Sequence, residues 1–344
     1  MNMQYLKPNW IPYYQKMFNN KTANKMRSKK TYGLKTTLLI FVLLSFNVYS
    51  QNNHRNTSTA KDTIVAGFST HIFTQTNFED AKAALSLLLN EIISNYWNRP
   101  NIYTIPVTYD NIDNIKKDID ANKLDLVALT SSEYLILRDK VKITPCLTYK
   151  TGSITQDKLL LLVREDSGIK SIQDLKRKKV AIFSFVSDEF STPTIWYKTL
   201  VLSNDGNYKK DYGPFLESQY KSARAIMDVF FKKAQGVVVS EKEFHIANEL
   251  NPQIGKQLKI IASSKPILYS AICYTEKLKQ HNTVYIEELV DSFCTVHKKS
   301  IGRNFLQIFK ITQFIPYKDG YMNNTEDLYN EFIEVSNKKK KYLE

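Results

Sequence analysis

Cysteine is scarce in this 344-residue chain, and the spacing of the few present excludes two protein classes. Only Cys146, Cys273 and Cys294 occur, an odd number without a Cys-x-x-Cys pair, so neither a disulfide framework nor a zinc ribbon can be built. One bridge among them is open; none is required. The five histidines (His54, His71, His245, His281, His297) stand apart, with no i, i+4 pair to set two ligands on one helical face, so no metal site is expected. Glycine and proline number ten each, too few for a long low-complexity linker. Also absent are a Gly-x-Ser-x-Gly elbow, a phosphate loop ending in Gly-Lys, and a His-Glu-x-x-His pair. No local Cys/His or acid pair has an evident role, so neither catalysis nor a cofactor is expected.

Acidic residues are missing from residues 1–50, which hold eight basic ones (Lys7, Lys16, Lys21, Lys25, Arg27, Lys29, Lys30, Lys35). The formal charge of +14 therefore misleads: beyond residue 50 there are 40 basic residues against 34 acidic, and four of the 40 form the terminal run Lys338 to Lys341. A body this close to neutral lacks the charged face that nucleic-acid binding requires, so no nucleic acid is expected as a partner. The basic segment instead has the pattern of a secretory signal. Met26-Arg27-Ser28-Lys29-Lys30 makes the positive region, Leu38 to Phe46 the apolar core, and Val48-Tyr49-Ser50 the cleavage box. The core is about half the ~20 residues of a spanning helix. Gln51, not Cys, follows the box, so a soluble mature protein in an oxidising compartment, released from a cleavable signal and not lipid-anchored, is expected. Residues 1–25 precede a better start at Met26.

What is present is a repeated strand-helix pattern. Thr63 to Gly67, Ile102 to Val107 and Leu124 to Leu129 read as strands, with helices over 79–96 and 111–121. A second set follows: strand 159–163, a helix near 171–176, strand 179–184, helix 191–203, a loop over 204–214, strand 216–220, helix 222–233, strand 236–239 and helix 241–249. Strands 258–262 and 267–274 and helices over 284–297, 303–309 and 325–336 complete the chain. Five apolar residues in succession, Leu159 to Val163, suit a strand buried on both faces. Such alternation signals α/β units.

The run Val163-Arg-Glu-Asp-Ser-Gly-Ile169, then Ser171-Ile-Gln-Asp-Leu-Lys-Arg-Lys-Lys-Val-Ala181, resembles the phosphonate-type periplasmic binding proteins of ABC importers, the PhnD-like branch. Asn251-Pro-Gln-Ile-Gly255, Leu258 to Ile261, Gly302 to Phe309 and Phe314-Ile-Pro-Tyr317 are similar to that family's return strands and C-terminal helix, so the likeness spans about 63–335. The resemblance implies a two-lobed α/β fold, the type II periplasmic-binding-protein fold, each lobe a mostly parallel sheet flanked by helices and joined by two crossing strands. Residues 63–156 and 263–344 would form one lobe and 157–262 the other, after a leader of 1–50 and a linker of 51–62. It further implies a monomer that captures a small oxyanion or zwitterion by hinge closure for an ABC permease, or, with the same motion, for a sensor kinase in the membrane.

Ligands of open α/β sheets sit at the carboxyl ends of strands, where helix N-termini present free N–H groups. Those ends carry Ser69 and Thr70, then Thr130, Ser131 and Ser132, then Ser184, Ser187, Ser191 and Thr192, then Ser240, and each hydroxyl serves equally as a helix cap. The resemblance adds Tyr134 as an aromatic wall, with a core tyrosine as the other reading. Lys158, Arg164 and Arg224 are the interior cations, each readable as a solvated charge. Ser187-Asp-Glu-Phe-Ser191-Thr192-Pro193 departs from the family's glycine-bearing turn. Asp188 and Glu189 there would repel a phosphate or hold an ammonium group.

Overall fold

The apolar runs pair into two separate sheets in the computed structural model, which describes residues 63–73, 78–92, 102–183, 191–219, 221–281 and 283–342. The expected leader and linker, the last turn of the helix expected to reach residue 96, and Ser184, Ser187, Asp188 and Glu189 lie outside the described residues.

Strand β1 (Thr63–Ser69) pairs in parallel with β2 (Tyr103–Tyr109) on one side and β3 (Leu126–Thr130) on the other, helix α1 (Phe78–Glu91) and helix α2 (Ile112–Asp120) providing the crossovers. In α2 the isoleucines at 112, 115 and 119 are all buried, the spacing of one helical face, and the Asn111 side chain caps the start by accepting from the Asp113 N–H. Two further elements come next that the sequence reading lacks, α3 (Ser131–Leu137) and β4 (Ile143–Lys150). Their absence from that reading has a physical cause. Helix α3 is buried around its whole circumference, so it has no polar face to create periodicity, and β4 carries Pro145 at a register shift against its neighbour.

The chain then enters a second sheet through β5 (Leu159–Arg164), whose first five residues are all buried, as the apolar run requires. The helix expected near 171–176 is a single 3-10 turn, Gln173–Leu175. Asp174 accepts from the backbone N–H groups of Lys170 and Ser171, and the chain breaks at Arg177, which adopts a left-handed conformation with φ 56°. Then follow β6 (Val180–Phe183), α4 (Thr192–Ser203), β7 (Leu216–Gln219), α5 (Ser222–Phe230), β8 (Gly236–Ser240), α6 (Glu241–Leu250), α7 (Pro252–Gln257) and β9 (Leu258–Ser263). The sheet order is β7-β6-β8-β5-β9, with β6, β7 and β8 parallel and β5 antiparallel to both β8 and β9. Ile182 of β6 is fully buried, so Ile182→Val is expected to cost about 1 kcal/mol, measured as a lower urea midpoint at unchanged slope.

Strand β10 (Ser270–Thr275) carries the chain back between β3 and β4, antiparallel to both, before α8 (Glu276–His281), α9 (Thr283–Thr295), α10 (Ser300–Ile308), β11 (Gln313–Pro316) and α11 (Asn323–Lys338). The first sheet then reads β11-β4-β10-β3-β1-β2. Gly302 in α10 lies against the Val296 carbonyl, which an added Cβ would meet at 2.0 Å, so the position admits no side chain. The chain passes between the sheets twice, and the two passing segments are tied by a reciprocal pair, Asp157 N–H to Ile267 O at 3.0 Å and Ile267 N–H to Asp157 O at 2.8 Å. Helix α11 packs on α4, and the Thr192 and Tyr329 hydroxyls meet there at 3.3 Å. Among the described residues no helix is long and apolar enough to cross a membrane.

Candidate ligand-binding cleft

A cavity of about 250 Å³ lies where the ends of β3 and β8 and the start of α4 face the passing segments. Thr130 and Ser132 enter it from the first sheet, Ser191, Thr192 and Ser240 from the second, and Gln156 and Asp157 from the segment between. Five of the hydroxyls expected at strand ends thus share one space. Ser191 precedes α4 without capping it: its hydroxyl donates to Thr194 Oγ1 at 2.9 Å, and no backbone N–H of the helix bonds to its side chain. Pro193 occupies the first turn, where its missing N–H costs no helical bond. Ser240 does cap α6, accepting from the Glu243 N–H at 3.2 Å.

Other expected residues are placed elsewhere. Ser69 is fully buried and donates to Glu133 Oε1 at 2.6 Å, and Ser131 donates to the Leu268 carbonyl at 2.5 Å, joining α3 to a passing segment. Neither lines the cavity, nor does Thr70, which belongs to a 3-10 turn, Thr70–Ile72, after β1. Tyr134 is buried in α3, also off the cavity, and burial together with neighbouring Cys273 and Tyr317 pushes its phenol up to about 12. It packs as a core tyrosine. Lys158 faces Glu241 at 3.8 Å, Arg164 pairs with Asp166 and donates to the Phe230 carbonyl, and Arg224 is exposed, so none of the three cations reaches the cavity.

The basic and acidic side chains that do line it are Lys242, Lys310, His71, Asp157 and Glu243. Burial lowers the Lys242 ammonium and Lys310 adds to that, while Glu243 and Asp157 oppose it; the net effect is downward. Burial raises the Asp157 carboxyl against the bonds it accepts from the Ser240 side chain and the backbone N–H groups of Lys158 and Lys242. Lys242 stands two residues beyond Ser240, so extending the strand-end search by half a helical turn would have reached it. Lys310 has no such signal, because it is itself a left-handed residue (φ 54°) in the turn just after α10.

Glu133 organises the first-sheet side of the cleft. Its carboxylate accepts from Ser69, from the Thr130 N–H at 2.9 Å and from the Thr130 hydroxyl at 3.0 Å, and His71 Nδ1 lies 2.8 Å away. With the Glu133 N–H returning to Thr130 Oγ1 this is a complete capping box, and Thr130-Ser-Ser-Glu133 is its sequence signature. Burial would raise this carboxyl, but the hydrogen bond and charge of His71, then Ser69 and Thr130, outweigh it and hold it below its ordinary 4.5. A carboxyl lowered on folding adds stability above its unfolded value and loses it as pH falls through the folded one. Glu133→Gln is therefore expected to flatten the acid side of the stability profile below about pH 4.5, measured by urea melts at stepped pH. Ser69, His71 and Glu133 do not form a nucleophilic triad, because hydroxyl and imidazole both contact the acid and the serine is sealed from the cavity.

The three cysteines are unpaired thiols, and burial pushes Cys146 up to about 12 and Cys294 up to about 11, away from thiolate chemistry at neutral pH. Among the described residues no group of three or more His, Cys, Asp or Glu could hold a metal ion.

Two sheets joined by paired passing segments, with a cleft at the carboxyl ends of their strands, define a type II periplasmic-binding-protein architecture. The family model for the phosphonate periplasmic substrate-binding protein of ABC transporters matches residues 78–321, and the chain belongs to that family. No curated protein matches it in sequence. Among solved structures, a Xanthomonas citri protein bound to chloride ion superposes with a TM-score of 0.59 at 13% identity, covering 80% of this chain and 99% of that one. The PhnD1 protein of Prochlorococcus marinus in complex with methylphosphonate gives 0.55 at 12%, covering 79% and 98%. A binding protein component of an ABC phosphonate transporter from Pseudomonas aeruginosa gives 0.55 at 13%, covering 80% and 88%. At these identities the likeness is one of fold. The family is periplasmic and serves transport, which implies a small-molecule ligand and a membrane permease.

Proposed function

We propose that this chain captures a small anionic or zwitterionic ligand bearing a phosphonate- or phosphate-like oxyanion between its two lobes and delivers it, as a monomer, to an ABC permease without turning it over. The observation that carries this reading is the shared lining of one cavity: hydroxyls of Ser132, Ser191, Thr192 and Ser240 with the ammonium groups of Lys242 and Lys310. Hydroxyls donate to oxyanion oxygens, two lysines supply the balancing charge, and α4 and α6 turn their N-terminal dipoles to the same place. Asp157 and Glu243 on the same wall suit the ammonium end of a zwitterion. Mass spectrometry of small molecules released when the purified mature protein is denatured tests the reading. The expected release is an acid or zwitterion with a phosphorus or sulfur oxyanion; a neutral sugar, or chemical conversion of an added ligand, would contradict it.

A further inference from the structure

The cavity does not end at the hydroxyl rim. Past Thr130 and Ser132 it is also lined from α1, α9, β11 and the turn after α10, where its walls are Phe73, Leu85, Leu88, Phe293, Phe309 and Phe314. Leu85 packs with Phe73, and the Phe73 and Phe309 rings stand 6.1 Å apart, so the arm is apolar on all the sides these residues form. A one-carbon oxyanion engages only the rim. Its head needs hydroxyls and ammonium groups and gains nothing from phenylalanine walls, whereas an apolar void of about 150 Å³ already accepts benzene. The cavity whose lining runs from Lys242 to Leu88 is about 250 Å³ in all, rim and arm together.

We propose that the preferred ligand is a single-chain amphiphile, its oxyanion head at Lys242 and Ser240 and its alkyl chain in the arm between α1, α9 and the turn after α10. This rests on the oxyanion reading above and names the rest of the ligand. Apolar surface removed from water is favourable in proportion to its area, so each methylene that enters the arm strengthens binding about fourfold until the arm is full. A free alkylphosphonate and an alkyl phosphate released from a lipid share this chemistry and differ at the atom joining head to chain.

Calorimetric titration of the mature protein with linear alkylphosphonates from methyl to octyl, alkyl phosphates of equal length and n-alkanols as head-free controls tests the proposal. Affinity is expected to climb about fourfold per carbon over the first several members and then level or fall. The tighter of the two acid series identifies which source fits. Methylphosphonate binding as tightly as the longer members would overturn the amphiphile and leave oxyanion capture standing. Alkanols binding as well as the acids would overturn the oxyanion head and leave the apolar arm. Binding by none of the three series would overturn both.

Discussion

Lys242→Gln is expected to weaken oxyanion binding ten- to hundredfold while leaving the melting temperature of the ligand-free protein unchanged or slightly raised. The two halves of that expectation share one cause. Lys242 sits half-buried at the second position of α6 on the cavity wall, and burial there works against its charge. An ammonium held against its own solvation is an expense to the fold, so a neutral, similarly shaped glutamine costs the unliganded protein little. Once an anion enters, the same ammonium makes a charge-assisted hydrogen bond in a water-poor site, worth about 1.5–3 kcal/mol. Removing it loses that much from binding alone, and each 1.4 kcal/mol is a factor of ten. Arg224→Gln is the control, since Arg224 is exposed and off the cavity. Titration with methylphosphonate checks both. A twofold change or less at Lys242 would remove the cation from the site.

Asp125→Ala is expected to destabilise the first lobe by about 2–3 kcal/mol, seen as a lower urea midpoint with binding per folded molecule unchanged. Asp125 is 1% exposed at the start of β3. One carboxylate oxygen accepts from the Val65 N–H at 2.8 Å and from Lys277 Nζ at 2.7 Å, so it joins β1, β3 and α8. Alanine strands both donors. The Lys277 side chain keeps 24% of its surface in solvent, so its unpaired ammonium costs less than a fully buried one would, and the orphaned Val65 N–H adds its own desolvation. Lys277→Met in the same background should recover part of the loss by removing the stranded ammonium, and failure to recover any would assign the effect to the Val65 bond.

Much of the fold was legible because burial on both faces writes itself as uninterrupted apolar sequence. Leu159 to Val163 had to be a central strand, and it lies between β8 and β9. Helices with one wet face, such as α2, were equally readable from spacing. What escaped notice had no such asymmetry: α3 is buried on every side, and β4 alternates poorly around Pro145. The site was half legible. Strand-end hydroxyls can be found by position, and Ser132, Ser191, Thr192 and Ser240 do share the cavity with Thr130. Position alone could not say that Glu133 would take the Ser69 hydroxyl, or that Ser131 would turn to a passing segment, because each choice depends on a partner more than 60 residues distant. Nor could it find Lys310, or an arm assembled from α1, α9, β11 and the turn after α10.

The central claim, that the cleft between the sheets is built for an oxyanion, is tested most directly by thermal denaturation of the mature protein against phosphate, phosphite, phosphonates and sulfonates. A ligand that binds only the folded state stabilises it by RT ln(1 + [L]/Kd), about 2.7 kcal/mol at a hundredfold excess over Kd, so a true ligand raises the transition progressively with concentration. At least one of these anions is predicted to do so. No shift with any of them would contradict the claim and leave the fold without its ligand class.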